Sequence, residues 1–149
     1  MIQVSVQPTD FDIEKCYQWL RQAAGTGAIV SFSGLVRDMH NERRIESLYL
    51  EHYPEMTLPA LRQLAEQAKR RFSLNAIMLI HRVGHILANE QIVYVGCATQ
   101  HRKDAFDATM FVMDRLKTDV PLWKKENYQS GESDWVSMKG SDKQAASKW

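Results

Sequence analysis

The stretch 99–126, TQHRKDAFDATMFVMDRLKTDVPLWKKE, is the most informative in the chain. His101 and Arg102 stand where an apolar strand pattern gives way to a helical one. Free backbone N–H groups and the helix dipole make such a point attractive to anions. Two cationic side chains there oppose the dipole, at a few tenths to roughly 1 kcal/mol, unless something negative lies close. A substrate phosphate would resolve the conflict; so would Asp104, in the first turn, beside a solvated pair. Lys117 lies at the far end of the same helical pattern, directly after Leu116. It reads either as a lysine favourable to a helix C-terminus or as an amine at the core edge, able to act as acid, base or nucleophile. By itself the spacing favours the first. Lys124 and Lys125 follow Trp123 in an extended stretch, where alternation puts Lys124 and Glu126 on one face and Trp123 and Lys125 on the other. Arg37 closes the glycine-containing run SGLVR, and strand ends are common places for ligand contacts.

What is absent narrows the chemistry. The sequence has no GxxxxGK[ST], GxGxxG, HExxH or GxSxG pattern. No cofactor is therefore expected, and no metal. The five histidines are scattered; His81 and His85 are four apart but in a strand followed by a turn, and read as structural or surface residues. Cys16 and Cys97 form no CxxC pair, which leaves a disulfide framework or a zinc site without support; both read as small buried hydrophobes in a reducing cytoplasm. Nineteen basic against 18 acidic residues give a net charge of +1, against a general nucleic-acid binder. Nothing resembles a signal peptide or a membrane span. Basic groups without a metal or redox motif point to an anionic substrate and to acid–base or acyl-type chemistry.

These groups need a scaffold, and 149 residues at 44% hydrophobic suit one domain, residues 1–149, with one core. The alternation in 2–6 predicts a strand. A helix from about Asp10, capped by Thr9 or Asp10, buries Ile13, Cys16, Tyr17, Leu20 and Ala24 and stops at Gly25 and Gly27. Strands are expected over 28–37 and 45–53, with 38–44 a mobile loop between them. Thr57 can cap a second helix with Pro59 in its first turn; its stripe is Leu61, Leu64, Ala65, Ala68 and Phe72. Strands at 76–83 and 91–99 precede a third helix, about 102–117, with Phe106, Thr109, Met110, Met113 and Leu116 as its core face. Residues 122–126 and 134–138 can pair as a C-terminal hairpin across 130–133. Sequential strand pairs with interspersed helices fit an α+β domain rather than a doubly wound sheet.

Along nearly its whole length the sequence resembles the large subunit of molybdopterin synthase. The resemblance is carried by GAIVSFSGLVRD, LYLEHYPEMT, IHRVGHILANEQIVYVGCATQHRKDAFDATMFVMDRLKTDVPLWKKE and the terminal SDKQAASKW. It implies an α/β hammerhead with additional antiparallel strands. It also implies a sulfurtransferase of molybdenum-cofactor biosynthesis, which builds the dithiolene of molybdopterin on cyclic pyranopterin monophosphate. Sulfur would arrive as a thiocarboxylate on the C-terminal Gly-Gly of a small ubiquitin-like subunit. The implied assembly is a homodimer with one small subunit at each end, a cytoplasmic heterotetramer.

Carried over by position, the resemblance puts substrate contacts at Leu35, Val36 and Arg37 and a phosphate-binding pair at His101 and Arg102. It places a lysine near the carrier tail at Lys117, and a second lysine segment at Lys124, Lys125 and Glu126. Lys117 and Lys124 are the catalytic candidates. The family's arginine after the hairpin tryptophan, given to the pocket by the other protomer, aligns with Lys139, which keeps the charge but loses bidentate phosphate recognition. His101–Arg102 and Lys117 would lie roughly 22–24 Å apart along one straight helix. Either the helix breaks early, or different copies of the chain meet at one pocket; the expectation is a pocket built by both protomers. Two other classes fit the same residues: a non-catalytic docking module for a ubiquitin-like protein, and an enzyme acting alone on a phosphorylated metabolite.

Overall fold

The structure, a computed structural model, describes residues 1–136 and 140–149, the side chains of 140–142 excepted. In chain order its elements are β1 (Ile2–Gln7), α1 (Ile13–Arg21), β2 (Ala28–Leu35), β3 (Met39–His40), β4 (Arg43–His52), α2 (Pro54–Phe72), β5 (Ala76–Arg82), β6 (Gly84–Leu87), β7 (Gln91–Thr99), α3 (Arg102–Asp119), β8 (Leu122–Tyr128), β9 (Ser133–Val136) and α4 (Gly140–Ser147). The α+β expectation holds.

One sheet runs β1-β5-β7-β2, with β1 parallel to β5 and the other pairs antiparallel. Every residue of β5 and all but the first of β7 are buried. Both faces are covered, which is why these strands read as near-continuous apolar runs rather than alternating ones. On one face Met78, Ile80, Tyr94 and Ala98 pack against Cys16 and Leu20 of α1. On the other, Ile77, Leu79, Val95 and Cys97 meet Leu64 and Ala68 of α2 and Ala108, Val112 and Leu116 of α3. Burial pushes the Cys97 thiol up to about 11, so both cysteines behave as the small hydrophobes expected of them. The second sheet runs β3-β4-β8-β9, with β6 also paired to β4. The expected hairpin is β8–β9, with Glu126 opposite Asp134 and Lys124 opposite Val136.

Several local expectations are corrected. Asp12, rather than Thr9 or Asp10, caps α1: its carboxylate accepts from the N–H groups of Glu14 and Lys15. Asp10 instead accepts from the Gln91 amide. The second helix begins at Pro54, so Pro59 lies inside it; the Thr57 hydroxyl donates to the Tyr53 carbonyl 3.1 Å away. Residues 38–44 are not a free loop. Asn41 and Glu42 adopt φ of 50° and 64° and turn β3 back onto β4.

The third helix turns to the core a face only partly the one its periodicity predicts. Phe106 and Met110 are 61% and 58% exposed, while Ala105, Ala108, Thr109, Phe111, Val112 and Leu116 are buried. Two stripes of helical period coexist there, and the sheet takes the one with small residues, which admits close approach. The polar C-terminal residues form α4, which periodicity did not suggest. Trp149, just after it, packs edge-on against Phe72 and Phe111 and donates its indole N–H to Asp114 at 2.7 Å.

Candidate active site

A cavity of about 600 Å³ opens between the end of β2, the C-terminal turn of α3 and the inner face of β8. Three segments distant in sequence line it. The first is Leu35, Val36 and Arg37. The register of β2 on β7 slips by one residue between Gly34 and Leu35, and such a bulge re-aims the residues that follow. A Cβ on Gly34 would lie 2.7 Å from Val93 Cγ1, so a side chain there would press on the neighbouring strand. Leu35 and Arg37 are exposed, whereas Val36 is buried in the core. The Val36 N–H donates to Glu90 and its carbonyl accepts from Asn89; what Val36 offers a ligand is apolar contact.

The second segment is the end of α3, which brings Met113, Leu116 and Lys117 to the wall. The third is β8, where alternation works as expected: Lys124 and Glu126 line the cavity, while Lys125 lies 5.9 Å from the Trp135 ring and is not in the lining. Five of the expected site residues besides Val36 therefore converge: Leu35, Arg37, Lys117, Lys124 and Glu126.

His101 and Arg102 do not join them. His101 is the N-cap residue of α3, without a side-chain capping bond, and Arg102 opens the helix; both are exposed. The helix is continuous from Arg102 to Asp119, which removes the early break. Fifteen residues of helix hold Arg102 and Lys117 roughly 22 Å apart. Lys139 lies outside the described residues.

Two histidines that the sequence does not single out bear on the site, one in the cavity lining and one bonded to a lining residue. His81 is 5% exposed, lines the cavity and is on the β5 face shared with Ile77 and Leu79. Its Nδ1–H donates to the Arg82 carbonyl at 2.8 Å, a group that can only accept, which leaves Nε2 with the lone pair. Burial pushes its pKa down to about 4, against the pull of that hydrogen bond, and Lys124, Lys117 and His52 push the same way. His81 is thus a neutral imidazole in a cationic wall, not a surface residue. The signal was available: in AIMLIHR it takes the alternate position of two core residues. His40, from the segment expected to be mobile, sits with Nδ1 2.7 Å from Glu126 Oε1.

The His81 environment has a measurable consequence. Its pKa is about 4 in the native state against 6.5 for the free side chain. Between those values the unfolded chain binds more protons, so stability rises with pH. The contribution is complete above 6.5, shrinks as pH falls toward 4, and totals about 3 kcal/mol. Urea unfolding of the wild-type chain and His81→Gln at about pH 7 and about pH 4.5 checks this. The variant should lose about 2 kcal/mol less on acidification; equal losses would refute the neutral buried imidazole.

Among the described residues no three His, Cys, Asp or Glu side chains are grouped to hold a metal ion, and no helix is long and apolar enough to cross a membrane.

The sequence profile of the MoaE protein family matches residues 6–119. The molybdopterin synthase catalytic subunit of Haemophilus influenzae is 45% identical over 148 residues, 99% of this chain and 98% of that one. Among solved structures, the molybdopterin biosynthesis MoaE protein of Burkholderia ambifaria superposes with a TM-score of 0.84 at 39% identity, covering 100% of this chain and 98% of its own. Molybdopterin synthase of Staphylococcus aureus superposes at 0.82 with 26% identity, over 89% of this chain and 95% of its own. With the cavity, its lysines and the fold all in place, the chain belongs to the MoaE protein family, that of the molybdopterin synthase catalytic subunits.

Proposed function

We propose that residues 1–149 work as one domain, the catalytic subunit of a molybdopterin synthase. It transfers sulfur from the C-terminal thiocarboxylate of a small ubiquitin-like subunit to cyclic pyranopterin monophosphate. The observation that carries the reading is the convergence of Arg37, Lys117 and Lys124 on one half-apolar cavity of about 600 Å³, large enough for a fused heterocycle and a chain terminus. Cations at the wall suit an anionic substrate and an anionic sulfur donor. The relatives are called catalytic subunits, which supports a second, non-catalytic one.

In this reading the cations bind the substrate phosphate and polarise its cyclic ester. Lys117 handles protons while the thiocarboxylate sulfur attacks the pterin side chain. Lys124 supports opening of the cyclic ester and hydrolysis of the spent acyl link, which frees the carrier carboxylate and leaves sulfur on the pterin. The phosphate pair, His101 and Arg102, belongs to the pocket of the second protomer, because one rigid helix cannot put both of its ends in one cavity. The working assembly is a homodimer with a small subunit at each pocket.

The test is single-turnover conversion. The chain is mixed with a thiocarboxylated ubiquitin-like partner ending in Gly-Gly and with cyclic pyranopterin monophosphate, and dithiolene is followed. Product formed in proportion to carrier consumed is expected. Tight binding of the partner with no conversion would leave only a docking module.

A further inference from the structure

The cavity wall contains a carboxylate of which one oxygen has no partner among the described residues. Glu126 is 3% exposed, on the inner face of β8. Its Oε1 is held by His40 Nδ1 at 2.7 Å. Its Oε2 is buried and has no hydrogen-bond partner among the described residues. A buried acceptor left unmade is costly, and native structures keep few of them. Such an oxygen in a ligand cavity is a place reserved for a donor that arrives with the ligand.

The way His40 reaches Glu126 shows construction. It sits on the two-residue strand β3, turned back by Asn41 and Glu42, both at positive φ. Asn tolerates that conformation, but for Glu42 it is unfavourable and persists where neighbours enforce it. Arg43, next after the turn, supplies the enforcement: its guanidinium lies 3.6 Å from the Tyr128 ring centroid and bonds to Glu132 and Asp134, each at 2.9 Å. The hairpin is thereby tied to β8–β9, and His40 is delivered to Glu126. A carboxylate can only accept, so Nδ1 carries the proton. The result is a carboxyl group with one oxygen tethered and the other directed by that tether.

We infer that Glu126 Oε2 accepts from the 2-amino group on the N–H edge of the substrate's heterocycle, and that His40 is the positioning residue that sets its angle. This rests on the pterin phosphate reading of the pocket. The lysines answer the anionic end of such a ligand; the carboxylate answers the opposite chemistry, an aminopyrimidinone edge with an amino group and a ring N–H. One cavity then recognises both ends of one molecule by complementary charge, and a phosphate without the ring would not satisfy Oε2.

The experiment measures KM and kcat for cyclic pyranopterin monophosphate, together with competitive inhibition by free pterin and by lumazine, in which oxo replaces the 2-amino group. The wild-type chain should prefer pterin about tenfold, the discrimination expected when a buried acceptor loses its donor. His40→Leu should raise KM about tenfold with kcat changed less than threefold, and should erase the pterin preference. His40→Asn, whose amide N–H can take the Nδ1 place, should recover most of both. Glu126→Gln keeps the volume, presents a donor in place of an acceptor, and should lose the preference even where His40→Leu proves unstable. Wild-type turnover with equal inhibition by pterin and lumazine, or an unchanged KM in a folded His40→Leu, overturns the inference while the sulfur-transfer reading stands. A wild-type chain that neither binds nor converts the pterin overturns that reading first and this one with it.

Discussion

Lys117→Ala should lower the single-turnover rate of sulfur transfer by about 10²–10⁴-fold, the range for removing a positioned proton-transfer group, while the protein stays folded. Lys117 is exposed in the last turn of α3, so its loss from the helix C-terminus costs only a few tenths of a kcal/mol. Lys117→Arg separates two roles. Arginine keeps the positive charge but cannot give up its proton in a protein. If Lys117 only attracts anions, arginine should restore most of the rate; if it moves protons, that variant should stay at least about tenfold impaired. Lys124→Ala is expected to impair the same assay, with the defect placed later, at release of the carrier. Wild-type rates in both alanine variants would remove the catalytic roles proposed here.

A mixed dimer of Lys117→Ala and Arg102→Ala should regain activity that neither homodimer has. If each pocket takes Lys117 from one copy and Arg102 from the other, the mixed dimer holds one intact pocket and one carrying both lesions. Random assortment makes half of the dimers mixed, so about a quarter of wild-type activity should return. The geometry behind this is the unbroken α3 with its ends roughly 22 Å apart. Sedimentation of the mixture establishes that subunits have exchanged; exchange without recovery would confine each pocket to one chain.

The pocket was legible where a local rule decides position. The alternation of WKKE sorted Lys124 and Glu126 from Trp123 and Lys125, and the place of Arg37 at the end of a glycine-containing strand marked it as a candidate for ligand contact. Legibility failed where the deciding contact is distant in sequence. His40 and Glu126 are 86 positions apart, and nothing in DMHNERR says that Arg43 anchors the turn to Tyr128, Glu132 and Asp134. The face of α3 failed for another reason: Phe106 and Met110 keep as good a helical period as the residues that are buried, and only the sheet chooses between them. The same holds for α4, whose placement depends on Trp149 finding Phe72 and Phe111 rather than on its own weak pattern.

The inward and outward sorting along β8 also sets which length changes the chain can accept. Inserting one residue between Leu122 and Trp123 would rotate Lys124 and Glu126 to the outer face and carry Trp123 and Lys125 into the cavity, so a single insertion would act like four substitutions at once. A change of two would restore the sides and shift only the ladder with β4. The turn at 129–132 has no such arithmetic. Across related sequences, odd-length variation should collect in the turn and be absent from the strand.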